Sequence, residues 1–346
     1  MAVKSTPVGN TAEVSGFRRW WERTTNTRAA YLYLLPAFLV MTIITFYPLF
    51  YQVWMSFTDY NIANLRGTVP PNWIGFKNYL DIFQGALQAK LPNFNFWRIL
   101  GFNLIWTITN VPFHVVIGVL IAVALNVEGL WFKKIYRAIY ILPIVLPTLV
   151  IATVWRNMFD QTSGSINMGL AAIGGLFNIP PEAFYIRWFE SIVPPFSWFL
   201  PGMPLPLSYY AMLIANIWLG WPFMTIVATG ALQSIPKDLY EAASMDGATP
   251  RQQFFTITVP LIRPAMVPAA VYGTITTFNL FNFIFMMSGG GPLRQTEILV
   301  TTAYDLVRTQ RLYGMAAAFC VLIFFILLGL TLALNWATKA TERYDV

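Results

Sequence analysis

The sequence predicts an all-α integral membrane protein with six transmembrane helices. Three observations carry that prediction. Apolar residues make up 57% of the chain and charged residues 11%, against roughly 25% charged in a soluble domain. Six segments are long enough to cross ~30 Å of hydrocarbon, which takes about 20 apolar residues at 1.5 Å per residue. None of the six contains Asp, Glu, Lys or Arg. One Cys excludes a disulfide within the chain. Cys320 falls in the last apolar run and reads as a small buried side chain.

The elements follow in order. Residues 1–30 form a cytosolic or interfacial tail. The apolar stretch after it is too long for a cleaved signal. Phe17, Trp20 and Trp21 interleave with Arg18, Arg19 and Arg23, a mix that suits a short helix on the membrane surface, with indoles and guanidinium groups at the headgroups. The predicted spans are 31–57, 99–125, 138–155, 208–232, 265–287 and 315–337. Pro36, Pro48, Pro112, Pro143, Pro147, Pro222 and Pro268 fall inside them, so kinks are expected within a bundle whose neighbours satisfy the freed carbonyls. The third span is the shortest and holds two of these prolines. Residues 31–340 thus form one transmembrane domain, with long outer loops at 58–98 and 156–207, and 341–346 form a short tail. The second outer loop is rich in Pro, Trp and Phe and is expected to cap the outer mouth.

Orientation comes from the basic residues. With the first tail inside, the inner segments 1–30, 126–137, 233–264 and 338–346 hold 13 of the 22 Lys and Arg, although the outer segments are longer in total. Cytoplasmic loops carry such an excess, so both termini are expected in the cytosol of a cytoplasmic membrane. The formal charge of +7 is scattered through short loops. It reads as a topology signal rather than as nucleic-acid binding.

The inner loop 233–264 carries the most information. Pro236 and Lys237 read as a helix start, where a missing N–H costs nothing, with Asp238 and Glu241 placed favourably for the helix dipole. Gly247 ends that helix, as a residue able to adopt the left-handed conformation. Thr249 and Pro250 start a second short helix that is expected to stop near Pro260 and Pro264. The result is an elbow across the membrane face, with Leu239, Ala242 and Ala243 as a small apolar surface for another protein.

The spacing is more specific than the elbow alone. Glu241-Ala242-Ala243, three residues, Gly247, nine residues, then Ile257-Thr258-Val259-Pro260 resembles the signature loop of binding-protein-dependent ABC importer permeases, with Val259 where that family usually has Leu. Asn216 to Phe223, Asp238 to Ala242, Met245 to Ala248, Phe278 to Phe283, Gly290-Gly291-Pro292 and Tyr313 to Ala318 resemble the maltose-type branch. The loop 156–207 occupies the place of the large extracellular domain of some maltose permeases. The resemblance implies a type I importer permease fold, with the loop as a coupling helix seated on an ATPase through Glu241, Ala242, Ala243, Asp246 and Gly247. It implies a second homologous permease, two ATPase subunits that hold Mg-ATP, and an extracytoplasmic sugar-binding protein.

A charge-free cavity for sugar needs neutral hydrogen-bonding groups and aromatic faces. Asn279 and Asn282 lie three apart and are expected on one helical face, with Phe278 and Phe281 similarly spaced. Leu219, Gly220 and Phe223 fall on neighbouring positions of the fourth span, and Gly220 would let a ligand approach the backbone. In the maltose-type family the positions of Leu219, Gly220, Phe223, Phe278, Asn279 and Asn282 face the sugar, with Tyr expected where Phe223 stands. The alternative for each Asn is a hydrogen bond between helices. His114, the one histidine, reads as a packing residue rather than a proton relay.

The chain has no Gly-x-x-x-x-Gly-Lys-Ser/Thr loop, and Ser288 to Pro292 reads as a flexible turn closing the fifth span. With one His and one Cys it carries no expected metal site, and no cofactor or catalytic residue is expected on it. The expected function is ATP-driven import of a neutral sugar, maltose, maltodextrin or a related disaccharide. The rival readings are a permease for another substrate such as glycerol 3-phosphate, which would leave an anion unpaired, and an ion-driven secondary transporter, which would need acids inside the spans.

Overall fold

The computed structural model describes residues 31–127, 129–193, 195 and 205–338. The expected interfacial helix within 1–30 and the tail 341–346 lie outside them. Among the described residues the regular structure is helical, apart from one isolated antiparallel bridge between Thr58 and Trp73. Two compact units divide at Trp54 and Met55. The first is occupied, among the described residues, by most of helix α1 (Tyr31–Ser56). Within α1 a π-turn at Thr42–Phe46 precedes Pro48 by two residues, and the Tyr47 N–H donates to the Thr42 carbonyl. The wider turn accommodates a proline ring that would collide with the carbonyl four residues earlier.

Besides short helices within the loops 58–98 and 156–207, the second unit holds α2 (Phe96–Asn126), α3 (Lys133–Val145), α4 (Thr148–Met158), α5 (Leu207–Gln233), α6 (Lys237–Met245), α7 (Pro250–Phe278), α8 (Phe281–Met287), α9 (Leu299–Arg308) and α10 (Tyr313–Thr338). Five helices, α1, α2, α5, α7 and α10, are long and apolar enough to cross a membrane. The count is six if α3 and α4 form one bent span. The first, second, fourth and sixth predicted spans match observed helices to within a few residues at each end.

Two predicted spans are corrected. The third, expected as one kinked span, is two helices, because α3 and α4 meet at 98°. Leu146 and Pro147 are extended, with ψ of 137° and 133°. Pro147 has no N–H to continue α3 and pushes the residue before it out of helical geometry. The fifth begins 15 residues earlier than expected, at Pro250, and ends at Phe278 rather than Met287. Pro260 and Pro264 do not stop it. A second π-turn, Phe254–Thr258, again lies two residues before a proline, and Val259 N–H donates to the Phe254 carbonyl. The same device therefore carries two helices through proline.

The seam between α2 and α5 organises the second unit. Gly118 lets the α5 backbone approach at Met224 and Thr225, where a Cβ would lie about 2.5–3.0 Å from their atoms. Small residues allow such contact between membrane helices. Polar groups cross the same seam. The Asn216 amide donates to Asn110 Oδ1 at 2.7 Å, and the Tyr209 hydroxyl donates to Thr109 Oγ1 at 2.8 Å. His114 Nε2 lies 2.9 Å from the Asn216 carbonyl, so that nitrogen carries the proton. In an apolar bundle each such bond contributes about 0.6 kcal/mol and up to ~1.7. Phe102, Trp106, Tyr209 and Phe283 fill the space beside it.

In the loop 58–98, Asn78 is buried and its amide donates to the Ser56 and Thr58 carbonyls at 2.9 Å. In the loop 156–207, Trp188 donates to Asn167 Oδ1 at 2.8 Å, and its ring lies 4.9 Å from Phe159.

Candidate functional site

The elbow between α5 and α7 is a braced structure. Pro236 caps α6, where a donor is not needed. Its other end closes with a Schellman motif. Ala248 N–H donates to the Ala243 carbonyl at 2.9 Å and Gly247 N–H to Ser244 at 3.0 Å, with Gly247 at φ +80°. That conformation suits glycine because a Cβ would crowd the following carbonyl. Thr249 and Gln252 then form a capping box at the start of α7, with Pro250 in the first position.

Two side chains that sequence reasoning missed tie the arms together. Tyr240 and Thr258 share a hydroxyl–hydroxyl bond of 2.9 Å. Gln253 Nε2 donates to Ser244 Oγ at 2.8 Å and reaches the Tyr240 and Ala248 carbonyls at 3.4 Å. The i, i+4 spacing of Tyr240 and Ser244 was available in the sequence, but their partners on α7 depended on an angle between arms that spacing does not set. Glu241, Ala242, Asp246 and Gly247 stay exposed, and Ala243 is half-buried. Leu239 and Met245 add apolar surface, Met245 being 89% exposed. A short rigid helix with an exposed acidic and apolar face can transmit a push from whatever grips it.

The residues expected to meet a ligand divide. Asn279 and Asn282 do not share one helical face, because α7 ends at Phe278 and Asn279 caps it with φ −100°, ψ 22°. Asn282 belongs to α8. Both amides nevertheless reach the surface of the chain, Asn282 fully and Asn279 partly. Neither side chain has a hydrogen bond to another described residue. Phe278 is corrected: its ring is 1% exposed and packs in a core with Phe94, Phe96 and Phe319. The Asn103 amide holds the Phe278 carbonyl at 3.0 Å, and its Oδ1 accepts from Leu299 N–H at 2.9 Å.

Gly220 is corrected in its reason. A side chain there would fall on the His114 ring, so the glycine admits a neighbouring helix and not a ligand. Leu219 is half-buried and packs with Leu280 on the cluster around Phe283 and Ile284. One turn along, Phe223 is exposed and its ring lies 5.6 Å from that of Tyr272 on α7. Tyr272, missed in the sequence, is 57% exposed and presents a hydroxyl beside a phenyl ring. The structure thus brings Phe223 and Tyr272 together as an aromatic wall, with Leu219 one turn from Phe223 and Gly220 filled by His114, whereas Asn279 and Asn282 lie at the break after α7 and Phe278 is buried. The Gly-rich segment is also corrected. Thr296 donates to Ser288 Oγ at 2.9 Å and to the Gly291 carbonyl at 2.6 Å, which makes it a bonded turn. Among the described residues no group of His, Cys, Asp and Glu is arranged to hold a metal ion.

Residues 114–342 match the family model described as "Binding-protein-dependent transport system inner membrane component". The chain is 33% identical over 316 residues to the maltodextrin transport system permease protein MdxF of Bacillus subtilis, covering 87% of this chain and 67% of that one. It is 32% identical over 303 residues to the diacetylchitobiose uptake system permease protein DasB of Streptomyces coelicolor, covering 88% and 84%. It is 28% identical over 305 residues to the trehalose/maltose transport system permease protein MalF of Thermococcus litoralis, covering 88% and 92%. Among solved structures, a chain of a bacterial ABC transporter involved in the import of alginate superposes with a TM-score of 0.72 at 22% identity, over 94% of this chain and all of that one. That likeness establishes the fold.

Proposed function

The chain belongs to the family of binding-protein-dependent transport system inner membrane components, and from that premise we propose that it is a permease subunit for ATP-driven import of a neutral sugar. Maltose, a maltodextrin or a related disaccharide fits the names of its relatives and the groups on offer, a Tyr272 hydroxyl beside the Phe223 ring and the Asn279 and Asn282 amides at the break after α7. We place the loop 233–264 in the cytosol with both termini, and α6 in the cleft of an ATPase subunit through Glu241, Ala242, Ala243, Asp246 and Gly247. Two ATPase subunits supply Mg-ATP hydrolysis, a second homologous permease closes the cavity, and an extracytoplasmic binding protein delivers the sugar.

Closure of the ATPase dimer moves the elbow as a rigid body. The helices it joins, α5 and α7, also carry the wall, so the cavity is re-aimed between the two sides. Such coupling is a shift between two packed states driven by differential affinity. The braced elbow is the observation that carries this reading. A loose loop would absorb the motion, whereas the Schellman closure and the Tyr240–Thr258 and Gln253–Ser244 bonds pass it to α7. The test is cross-linking: with single cysteines at Ser244 and Met245, the assembled complex should give disulfides to its ATPase in a nucleotide-dependent pattern. Absence of cross-links in a complex that hydrolyses ATP would refute the placement.

A further inference from the structure

A cavity of about 290 Å³ lies beyond the far end of α7, between α8, the Gly-rich turn and α9. Its lining includes Phe285, Arg294, Glu297, Tyr304, Asp305 and Arg308. Its polar character is unlike the two cavities along the α2–α7 seam, whose linings are mostly Val, Leu, Ile and other apolar side chains, with a few Thr and one Arg.

The charges in it are already organised. Arg294 bridges Glu297 at 2.6 Å and Asp305 at 2.7 Å. Arg308 donates to the Tyr304 hydroxyl at 3.2 Å and lies 5.8 Å from the centre of its ring. The lining holds two guanidinium groups and two carboxylates, Arg294 being shared between both acids and Arg308 standing on Tyr304, so a strongly charged ligand of either sign would meet a charge of its own kind. Glu297 is 5% exposed, its Oε2 has no hydrogen-bond partner among the described residues, and burial pushes its carboxyl above the usual carboxylate range against the pull of Arg294. A buried acceptor without a full partner is costly, so a ligand hydroxyl that donated to it would be favoured. One wall is aromatic: Phe281, Phe285 and Tyr304 pack with ring centres 4.8–5.2 Å apart.

We propose that this cavity is a saccharide subsite outside the membrane-spanning wall, sized for one sugar unit of an oligosaccharide. Balanced donors and acceptors beside an aromatic face match a neutral polyhydroxy ligand, whose hydroxyls can both donate to carboxylates and accept from guanidinium groups. The volume stands near the lower end of the ~300–1,000 Å³ of small-molecule pockets, which suits a single ring. Asn282 on α8 and Phe285 one turn further along the same helix would place the two sites in sequence along one path. The proposal rests on the reading that the chain carries a neutral sugar.

The experiment is photolabelling of the complete reconstituted complex with a diazirine derivative of maltotriose, followed by mapping of the labelled peptides. Label within 285–309 that is competed by maltotriose supports the subsite. The double variant Tyr304→Phe/Arg308→Gln keeps the ring stack and removes one hydroxyl and one exposed guanidinium; its recovery with the ATPase on purification checks folding, and it should lose about fivefold of that label. A complex that imports maltotriose but carries no label in 285–309, or equal label in the double variant, overturns the subsite and leaves the sugar reading standing. A complex that imports no neutral saccharide removes that reading and the subsite with it.

Discussion

The His114 ring occupies the space that a side chain on Gly220 would need, and its Nε2 bonds the Asn216 carbonyl one turn away on the same helix. One residue of α2 thus fixes how closely α5 approaches, directly behind the wall formed by Leu219 and Phe223. Overpacking a tight seam costs about 1–3 kcal/mol. Gly220→Ala should lower the yield of assembled complex, and adding His114→Ala should restore part of it. The comparison of single and double variants by thermal inactivation measures the coupling. Equal loss in both would mean that Gly220 meets something other than His114.

Gly247 tests conformation separately from crowding. Beyond Gly247 itself and its two chain neighbours no atom lies within 4 Å of where its Cβ would be, yet its φ is +80°. Replacement should therefore act through backbone strain of roughly 1–2 kcal/mol. Gly247→Val should weaken binding-protein-stimulated ATP hydrolysis more than Gly247→Asn, because Asn tolerates the left-handed region. The measurement is hydrolysis by the purified complex at saturating ATP.

Asn103 staples α2 to both sides of the break after α7, with its amide on Phe278 and its oxygen on Leu299. Asn103→Leu leaves a buried carbonyl and a buried N–H without partners, at about 1–3 kcal/mol each. The expected result is a loss of thermal stability larger than that from Asn282→Ala, whose side chain is exposed. Asn282→Ala should instead reduce sugar uptake with assembly intact.

Asp160 gives a pH prediction. Its Oδ1 accepts from the Thr162 and Ser163 N–H groups and from both hydroxyls at 2.8–3.1 Å. The backbone bond from Ser163 leads the effects that hold its carboxyl down, to about 2. A depressed carboxyl contributes order that is complete above the usual value near 4 and is lost as pH falls toward about 2. Amide protection at Thr162 and Ser163 should therefore be level from neutral pH to about 4 and drop below it. Asp160→Ala should remove it at every pH, as read by hydrogen exchange.

Much of this was legible in the sequence because local rules suffice for it. Uninterrupted apolar runs fixed α2, α5 and α10, and Gly247, Thr249 and Pro250 marked the turn of the elbow through caps that act within a few residues. What failed depended on proline in context. Pro147 broke a span that was read as kinked, and Pro260 was bypassed by a π-turn that no local preference announces. The wall was half legible. Asn282 and Phe223 are exposed and Asn279 is half-buried, but the burial of Phe278 and the filling of Gly220 are set by Phe319 and His114, which lie 41 and 106 residues away in the chain. Tyr272 escaped notice because an isolated tyrosine in an apolar run has no spacing signature.

The most direct measurement is maltotriose uptake into proteoliposomes holding the full assembly, with ATP or an ion gradient as the sole energy source. The account predicts accumulation with internal Mg-ATP and binding protein, abolished when the ATPase subunits are omitted and unaffected by collapsing ion gradients. Uptake by this chain without an ATPase, driven by a proton or sodium gradient, would contradict it.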